Sequence, residues 1–407
     1  MISSPIRIAP GPELLLRLLV ALIACAAPAL AQVPEDAGPY PVGVRSVSFS
    51  HPLAGNSTVI ADIYYPATSS GSNAPPDVAG GPYPLAGFFH GYFAPPSFYS
   101  DLTAHMASYG FVVAAVGTEA GFFQNIVREA RDGHALLHWC VEQGADPGSF
   151  LHQLPDDGTW SAVGHSNGAA AIFHALEWEP RIDTVVSTEG NWFNLPAVGT
   201  FAGSFLSIGS SQDLVAPSGP NARRYYDSAV ATRRRAWALV VGGGHNGSLD
   251  FPAGVLNSLS HAEQNRLHRR LITGFLRAEV QGEQDLYHHL LGAGAAGEPL
   301  ELEALYPSPS LWVAPDASSA GSWLLGVAAM PSDQVTVALS PGVLAEGLGF
   351  PGLAGRSLFE GAAPSSGLVG VGFGAPAVPP GTGLVLRGLC DGAPGARLTR
   401  RARVVVP

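Results

Sequence analysis

Lysine is absent from this 407-residue chain, so all 21 basic side chains are arginine, and against 32 acidic residues the net charge is −11. An acidic chain without a clustered basic face has nothing to track a phosphate backbone, which argues against a nucleic-acid partner. The one dense basic run, Arg233-Arg234-Arg235, is short and precedes a predicted strand, so a solvated edge accounts for it. Cysteine is scarce, with only Cys25, Cys140 and Cys390. An oxidising compartment would permit a bridge between Cys140 and Cys390, but Cys140 sits in a helical pattern beside Trp139 and reads as a small core residue, so there is no ground for assigning the disulfide. Long apolar runs are missing beyond the N-terminus, and no other stretch is apolar enough over enough residues to span a bilayer. Metal-ligand patterns are weak. His134 and His138 are four apart without an intervening Glu, which favours ordinary surface or core histidines, and no metal or organic cofactor is implied.

The apolar run that does exist lies between Leu18 and Ala24, preceded by Arg7 and Arg17 and followed by Ala29-Leu30-Ala31. A basic start, an apolar middle and a small-residue cleavage site make residues 1–31 an export signal, with a mature chain near Gln32 and a secreted or periplasmic location. Leu22-Ile23-Ala24-Cys25 offers a competing lipoprotein box. Membrane attachment follows only if Cys25 carries a lipid.

From Val42 to about Leu291 predicted strands and helices alternate, the pattern of a mostly parallel, doubly wound α/β sheet covered on both faces. Val112 to Val116, Thr184 to Ser187, Phe205 to Ile208 and Trp237 to Val241 are nearly continuous apolar runs, as buried parallel strands should be. A long helix is predicted from Ser260, with Glu263 at capping-box spacing, to about Val280. Residues 32–291 form the first unit on this pattern. Gly292-Ala293-Gly294-Ala295-Ala296-Gly297 satisfies G-x-G-x-x-G but follows a helix, not a strand, so 292–299 reads as a linker. From 300 to 407 short apolar runs broken by Gly and Pro predict a small all-β accessory domain.

Gly164-His165-Ser166-Asn167-Gly168 is a G-x-S-x-G sequence, and a chain this rich in glycine produces such a match by chance often enough that context must decide. Trp160-Ser161-Ala162-Val163 before it predicts a strand, and Ala169-Ala170-Ala171-Ile172-Phe173 after it predicts a helix. Ser166 therefore falls on a sharp strand-to-helix turn that pushes its hydroxyl out above the sheet, while His165 packs beneath. A serine hydroxyl needs an imidazole to take its proton and an acid to orient that imidazole. Asp213 follows the predicted strand Phe205 to Ile208, and His245 follows the next one in a loop freed by Gly242-Gly243-Gly244. Glu189, after the strand ending at Ser187, is a rival for the acid.

These three motifs together resemble an α/β-hydrolase of the group holding dienelactone hydrolases, chlorophyllases and cutinase-type polyester hydrolases, over about residues 42 to 291. The resemblance implies an α/β-hydrolase fold and a Ser166, His245, Asp213 triad. It also implies an oxyanion hole from the backbone N–H groups of Asn167 and of Tyr92, the latter in His90-Gly91-Tyr92, with the Tyr92 ring lining the acyl pocket. Nothing in it extends to the C-terminal unit. Few residues separate the strands ending at Ser187 and starting at Ser204, so the site should be open, and Trp192, with Phe193 and Phe201, offers an aromatic wall for the substrate or simply packs on the sheet edge.

The expectation is an exported serine esterase acting on an ester substrate, polymeric or lipid-like. A peptidase or acyltransferase on the same triad stands as an alternative, as does an inactive hydrolase-fold binding protein.

Overall fold

The computed structural model describes residues 33–252, 257–291 and 295–305, and beyond them the backbone of strands between Ser310 and Val405. The segment read as an export signal, with Cys25, and residues 292–294 of the glycine-rich stretch lie outside the described residues.

One sheet organises the first unit. Its strands are β1 (Val42–Ser50), β2 (Thr58–Pro66), β3 (Gly71–Ser72), β4 (Tyr83–Phe89), β5 (Val112–Val116), β6 (Pro155–His165), β7 (Ile182–Thr188), β8 (Ser204–Ser210), β9 (Arg234–Val240) and β10 (Leu300–Leu305). They lie in the order β10-β9-β8-β7-β6-β4-β5-β2-β1-β3. From β5 across β4, β6, β7 and β8 to β9 every pairing is parallel. Parallel strands need crossover connections, and helices α1 (Ser100–Ser108), α2 (Ile126–Ala145), α3 (Asn167–Ala175), α4 (Pro196–Thr200) and α5 (Ala222–Ser228) lie in those connections. The long α6 (His261–Leu276) and the short α7 (Tyr287–Leu291) follow β9. This is the mixed α/β architecture predicted from the alternating pattern.

The apolar runs of the inner strands have a direct cause: alternate side chains enter two different cores. Leu85 and Phe89 of β4, Val112 and Ala114 of β5, Val185 of β7 and Phe205 of β8 pack with α2 and α3 on one face. Phe88, Val113, Val186, Leu206 and Ile208 pack with Leu102 and Met106 of α1 and Leu267, Leu271 and Phe275 of α6 on the other. Neither face of these strands meets water, so no polar alternation survives in the sequence. Helix starts follow local chemistry as well. Asn125 accepts from the Arg128 N–H at 3.1 Å and Ser260 from the Glu263 N–H at 3.2 Å, each satisfying an orphan donor of a first turn.

Three boundaries differ from expectation. β6 runs from Pro155, well before the predicted Trp160 start. α6 ends at Leu276 and passes into a π turn, Arg277–Gln281. Leu300–Leu305 is the tenth strand of the main sheet, antiparallel to β9 with Leu300 opposite Val240 and Leu305 opposite Arg235, rather than the start of the β-rich region. Glu303 on it accepts from Arg223 and Tyr226. Sequence reasoning placed the boundary at the glycine-rich stretch, whereas the edge of β9 holds unpaired backbone groups that the chain returns to cover. Beyond it, β11 (Ser310–Pro315), β12 (Ser322–Ala328) and β15 (Leu368–Gly374) pair antiparallel. β13 (Gln334–Ser340) pairs with β14 (Arg356–Ala362) and β16 (Gly383–Asp391), and β16 with β17 (Arg397–Leu398) and β18 (Ala402–Val405). Cys140 is a free thiol buried in α2.

Phe173 in α3 stacks on Tyr225 at 5.2 Å and meets Phe205 edge-on at 5.7 Å, with no exposed surface. Phe173→Ala is expected to cost about 3–5 kcal/mol of stability, read from the urea midpoint, because these flat partners cannot collapse into the space left.

Candidate active site

Three strand ends converge. Ser166 follows β6, Asp213 follows β8 and His245 follows β9, all at the carboxyl rim of the parallel strands, where α/β folds gather their sites. The His245 Nε2 lies 3.0 Å from the Ser166 Oγ, and its Nδ1 lies 2.8 Å from the Asp213 Oδ2. The other Asp213 oxygen accepts from the backbone N–H groups of Val215 at 2.9 Å and Ala216 at 2.8 Å. Two fixed donors thus aim the carboxylate at the imidazole, and the Pro217 turn beyond them sets the loop. A hydroxyl, an imidazole and a carboxylate in this series can pass a proton from the hydroxyl to the ring.

Ser166 occupies φ 53, ψ −116, a strained backbone for any residue but glycine. Its neighbours explain how the turn persists. A Cβ on Gly164 would sit 2.6 Å from the Gly168 carbonyl carbon, and one on Gly168 would collide with the backbone of Phe89. Asn167 opens α3, where a first-turn N–H has no intrahelical acceptor.

The His90-Gly91-Tyr92 loop lies directly over this turn. A Cβ on Gly91 would sit 2.7 Å from the His165 Nδ1 and 3.2 Å from the Ser166 Cβ, so only glycine lets the loop approach. Tyr92 follows; its hydroxyl donates to the Phe122 carbonyl at 3.0 Å while its ring stays half exposed. Trp192 is half buried, edge-on to Tyr225 at 4.8 Å, Phe201 is buried, and Phe193 remains exposed. The connection that carries them folds into the five-residue α4.

Glu189, the rival acid, does not reach His245. It is fully buried and faces His268 of α6, whose Nε2 lies 3.0 Å away, and it accepts from Thr188 and from Ser210 at 2.6 Å. Burial is the largest single influence and would raise this carboxyl, but the charge and hydrogen bond of His268, with His165 and the Ser210 hydroxyl, together hold it below its usual range. The opposite balance holds His268 up. Gln264 extends the network to the His245 loop, donating to Ser210 at 3.2 Å and clasping Gly244, whose C=O accepts at 2.5 Å and whose N–H donates at 3.1 Å. Glu189 therefore supports the loop beside His245.

Of this second layer, sequence reasoning singled out Glu189 and His165 but gave no role to Gln264, His268, Gln124, Asn191 or Tyr99. Beneath Asn167, its side-chain amide donates to Gln124 at 2.8 Å and accepts from Asn191 at 2.9 Å; Gln124 in turn donates to Glu129 at 2.7 Å. Tyr99 lies within hydrogen-bonding distance of both Gly91 and His165. No spacing announces such residues: Gln264 and His268 sit on a helix among core residues, Gln124 and Asn191 lie in connections, and only the fold brings them together.

His134 and His138, the metal-spaced pair, do converge with Glu179, their ligand atoms lying within 4.8 Å of one another. The cation there is the chain's own. Arg181 donates from Nε to one Glu179 oxygen at 2.9 Å and from Nη2 to the other at 3.0 Å. Burial would raise Glu179, yet these bonds hold it down to about 2. The carboxylate is already committed, in keeping with two ordinary histidines.

A family model described as PET hydrolase-like matches residues 22–251, more than half of the chain. A cutinase of Thermobifida fusca is 28% identical over 242 residues, covering 56% of this chain and 69% of that protein. A chlorophyllase of Arabidopsis thaliana is 32% identical over 117 residues, covering 26% of this chain and 34% of that protein.

Burial pushes the Glu129 carboxyl up to about 7, although the nearby His90 opposes the rise. A folded value above the unfolded one of about 4.5 means that folding favours the protonated acid. That contribution is complete below about 4.5 and is lost as pH climbs through about 7. Replacing Glu129 by Gln removes the titration, so the stability of the variant relative to the unaltered protein should rise from pH 4.5 to pH 8 by on the order of 3 kcal/mol. Urea midpoints at the two pH values test this; parallel profiles would contradict it.

Proposed function

The chain belongs to the PET hydrolase-like family, and from that premise we propose that it is an exported serine hydrolase cleaving carboxylic esters through an acyl-enzyme on Ser166. The observation that carries this is the His245 ring bridging Ser166 and Asp213 at 3.0 and 2.8 Å. His245 takes the Ser166 proton as the oxygen attacks the ester carbonyl. Asp213, held by two backbone donors, keeps the ring's other N–H in place and balances the imidazolium that forms. The N–H groups of Tyr92 and Asn167 receive the developing oxyanion. His245 then gives its proton to the leaving alkoxide, and a water deprotonated by the same ring releases the acid from Ser166. The basic, apolar and small-residue segments of residues 1–31 support export, and the strands from Ser310 onward are assigned to an accessory β unit.

We further assign an apolar, polymeric or lipid-like ester as substrate. Four large rings stand out of the protein beside the nucleophile: Tyr92, Phe93, Phe122 at 68% and Phe123 at 97% exposure. Phe93 and Phe122 lie 4.2 Å apart, and Leu214 and Val215, next to Asp213, are also exposed. Phe93 holds φ 54, a conformation that costs a bulky residue about 1–3 kcal/mol and displays its ring. An apolar patch continuous with a site marks the surface that the partner covers.

Ser166→Ala should lower turnover of p-nitrophenyl butyrate by about a millionfold, whereas a loss under about tenfold would overturn the assignment. Substituting both Phe122 and Phe123 by Ser should cut product release from a polyester film by about tenfold and leave p-nitrophenyl butyrate hydrolysis within about twofold. Equal losses on both substrates would refute the rim's role.

A further inference from the structure

We propose that Tyr99 and His165 are positioning residues for ester hydrolysis, forming a hydrogen-bonded series that locks the oxyanion loop to the base loop beneath the nucleophile. This rests on the hydrolase reading above.

The series has four members. The Gly91 N–H lies 3.0 Å from the Tyr99 hydroxyl oxygen, that oxygen lies 2.8 Å from the His165 Nδ1, and the His165 Nε2 lies 2.9 Å from the His245 carbonyl oxygen. A carbonyl only accepts, so the Nε2 of His165 carries a hydrogen. Burial pushes this imidazole down to about 3, which leaves it neutral at the pH of any ester hydrolysis near neutrality, and its Nδ1 must then accept. Tyr99 consequently donates to His165 and accepts from Gly91. Each group has one assignment, and the direction runs from the loop that carries Tyr92 to the residue that carries the base.

Burial makes the series hard to replace. Tyr99 has no exposed surface and His165 has 2%, so water does not stand in for a lost partner. The Tyr99 ring packs on Phe88 at 4.8 Å and leans on His165 at 5.7 Å, and the His165 ring lies 4.9 Å from that of His245. Gly91, with no room for a Cβ against His165, is pressed onto the same ring. The two loops come from strands β4 and β9, which are not neighbours in the sheet, so their relative height over Ser166 depends on what passes between them. A misplacement of about 1 Å between such groups lowers rate by about 100-fold without weakening substrate binding.

The test is Tyr99→Phe, which keeps the ring and removes the hydroxyl. Tyr65→Phe serves as control, since it deletes an equally buried hydroxyl, bonded at 2.9 Å to the Ala74 carbonyl, at a distance from the triad. With p-nitrophenyl butyrate, Tyr99→Phe is expected to lower kcat by about 10- to 100-fold with KM within about twofold, and to slow fluorophosphonate labelling in parallel. Tyr65→Phe should lower the melting temperature and leave kcat within about twofold. A Tyr99→Phe protein that folds and retains kcat within about threefold overturns the inference, as does a rise in KM at unchanged kcat. Should that variant not fold, His165→Gln and His165→Leu replace it: glutamine retains an acceptor and a donor, so it must keep at least about fivefold more kcat than leucine, and equal rates overturn the proposal. Failure of the unaltered protein to hydrolyse the ester or take the label would instead refute the hydrolase reading itself.

Discussion

The structure depends on one strained turn. Ser166 is held at positive φ between a strand and a helix, and the whole site is arranged so that the turn has nowhere else to go. Its N–H donates to the Thr188 carbonyl at 3.0 Å, and its own carbonyl accepts from Asn191 at 3.0 Å and Ala169 at 3.2 Å. Gly164 and Gly168 face each other with no space for a side chain. A cost of about 1–3 kcal/mol at this residue is sustained because relaxing it would break three backbone hydrogen bonds and open the contact of α3 with β4. Every other part of the site is aimed at the atom this turn displays.

Two buried carboxylates illustrate how environment divides roles among similar groups. Asp213 and Glu189 both leave the carboxyl ends of neighbouring parallel strands, and each faces a histidine. Asp213 receives two backbone N–H groups on one oxygen, leaving the other for His245, whose far nitrogen remains directed at a hydroxyl. Glu189 spreads over Thr188, Ser210 and His268, and the far nitrogen of His268 is spent on the Gln264 carbonyl at 2.7 Å. A ring engaged on both sides has no proton to exchange with a third group, so the inner pair is structural. Its position is not idle, since Gln264 and Ser210 connect it to Gly244, the residue before His245.

Much of the frame was legible because buried parallel strands write a simple signature. Val112 to Val116 and Phe205 to Ile208 are apolar on both faces, and no helix of a small domain shows so short a continuous run between turn residues. The convergence of Ser166, Asp213 and His245 was legible for a different reason: glycines cluster where the backbone must pass close or turn sharply, and they bracket Ser166 and precede His245. The supporting polar residues left no such trace. Gln264 and His268 lie on one face of α6 among leucines, and Tyr99 ends a 3-10 turn whose pattern reads as the start of α1. Their partners come from strands far away in sequence, and periodicity reports only which face is buried, not what waits there. The boundary at residue 300 was misjudged similarly, because glycine content marks a bend in the chain and says nothing of which sheet edge the next strand will cover.

The distribution of order follows from what each part must do. The polar groups packed behind Ser166 sit where water is excluded and each hydrogen bond has one assignment: Tyr99, His165, Glu189 and His268 have almost no exposed surface. Electrostatic interactions are strongest there, and a preorganised donor loses no energy to reorientation when charge develops. The large exposed rings sit outside, on loops joined by contacts such as the Tyr92 hydroxyl on the Phe122 carbonyl. Flat rings gain from burial against any apolar partner without demanding a unique geometry. On the proposed hydrolase reading, a rigid polar interior and a permissive aromatic rim are two answers to one constraint: the reacting carbonyl has to be placed to within a fraction of an ångström, while the chain that carries it need only be held against the surface.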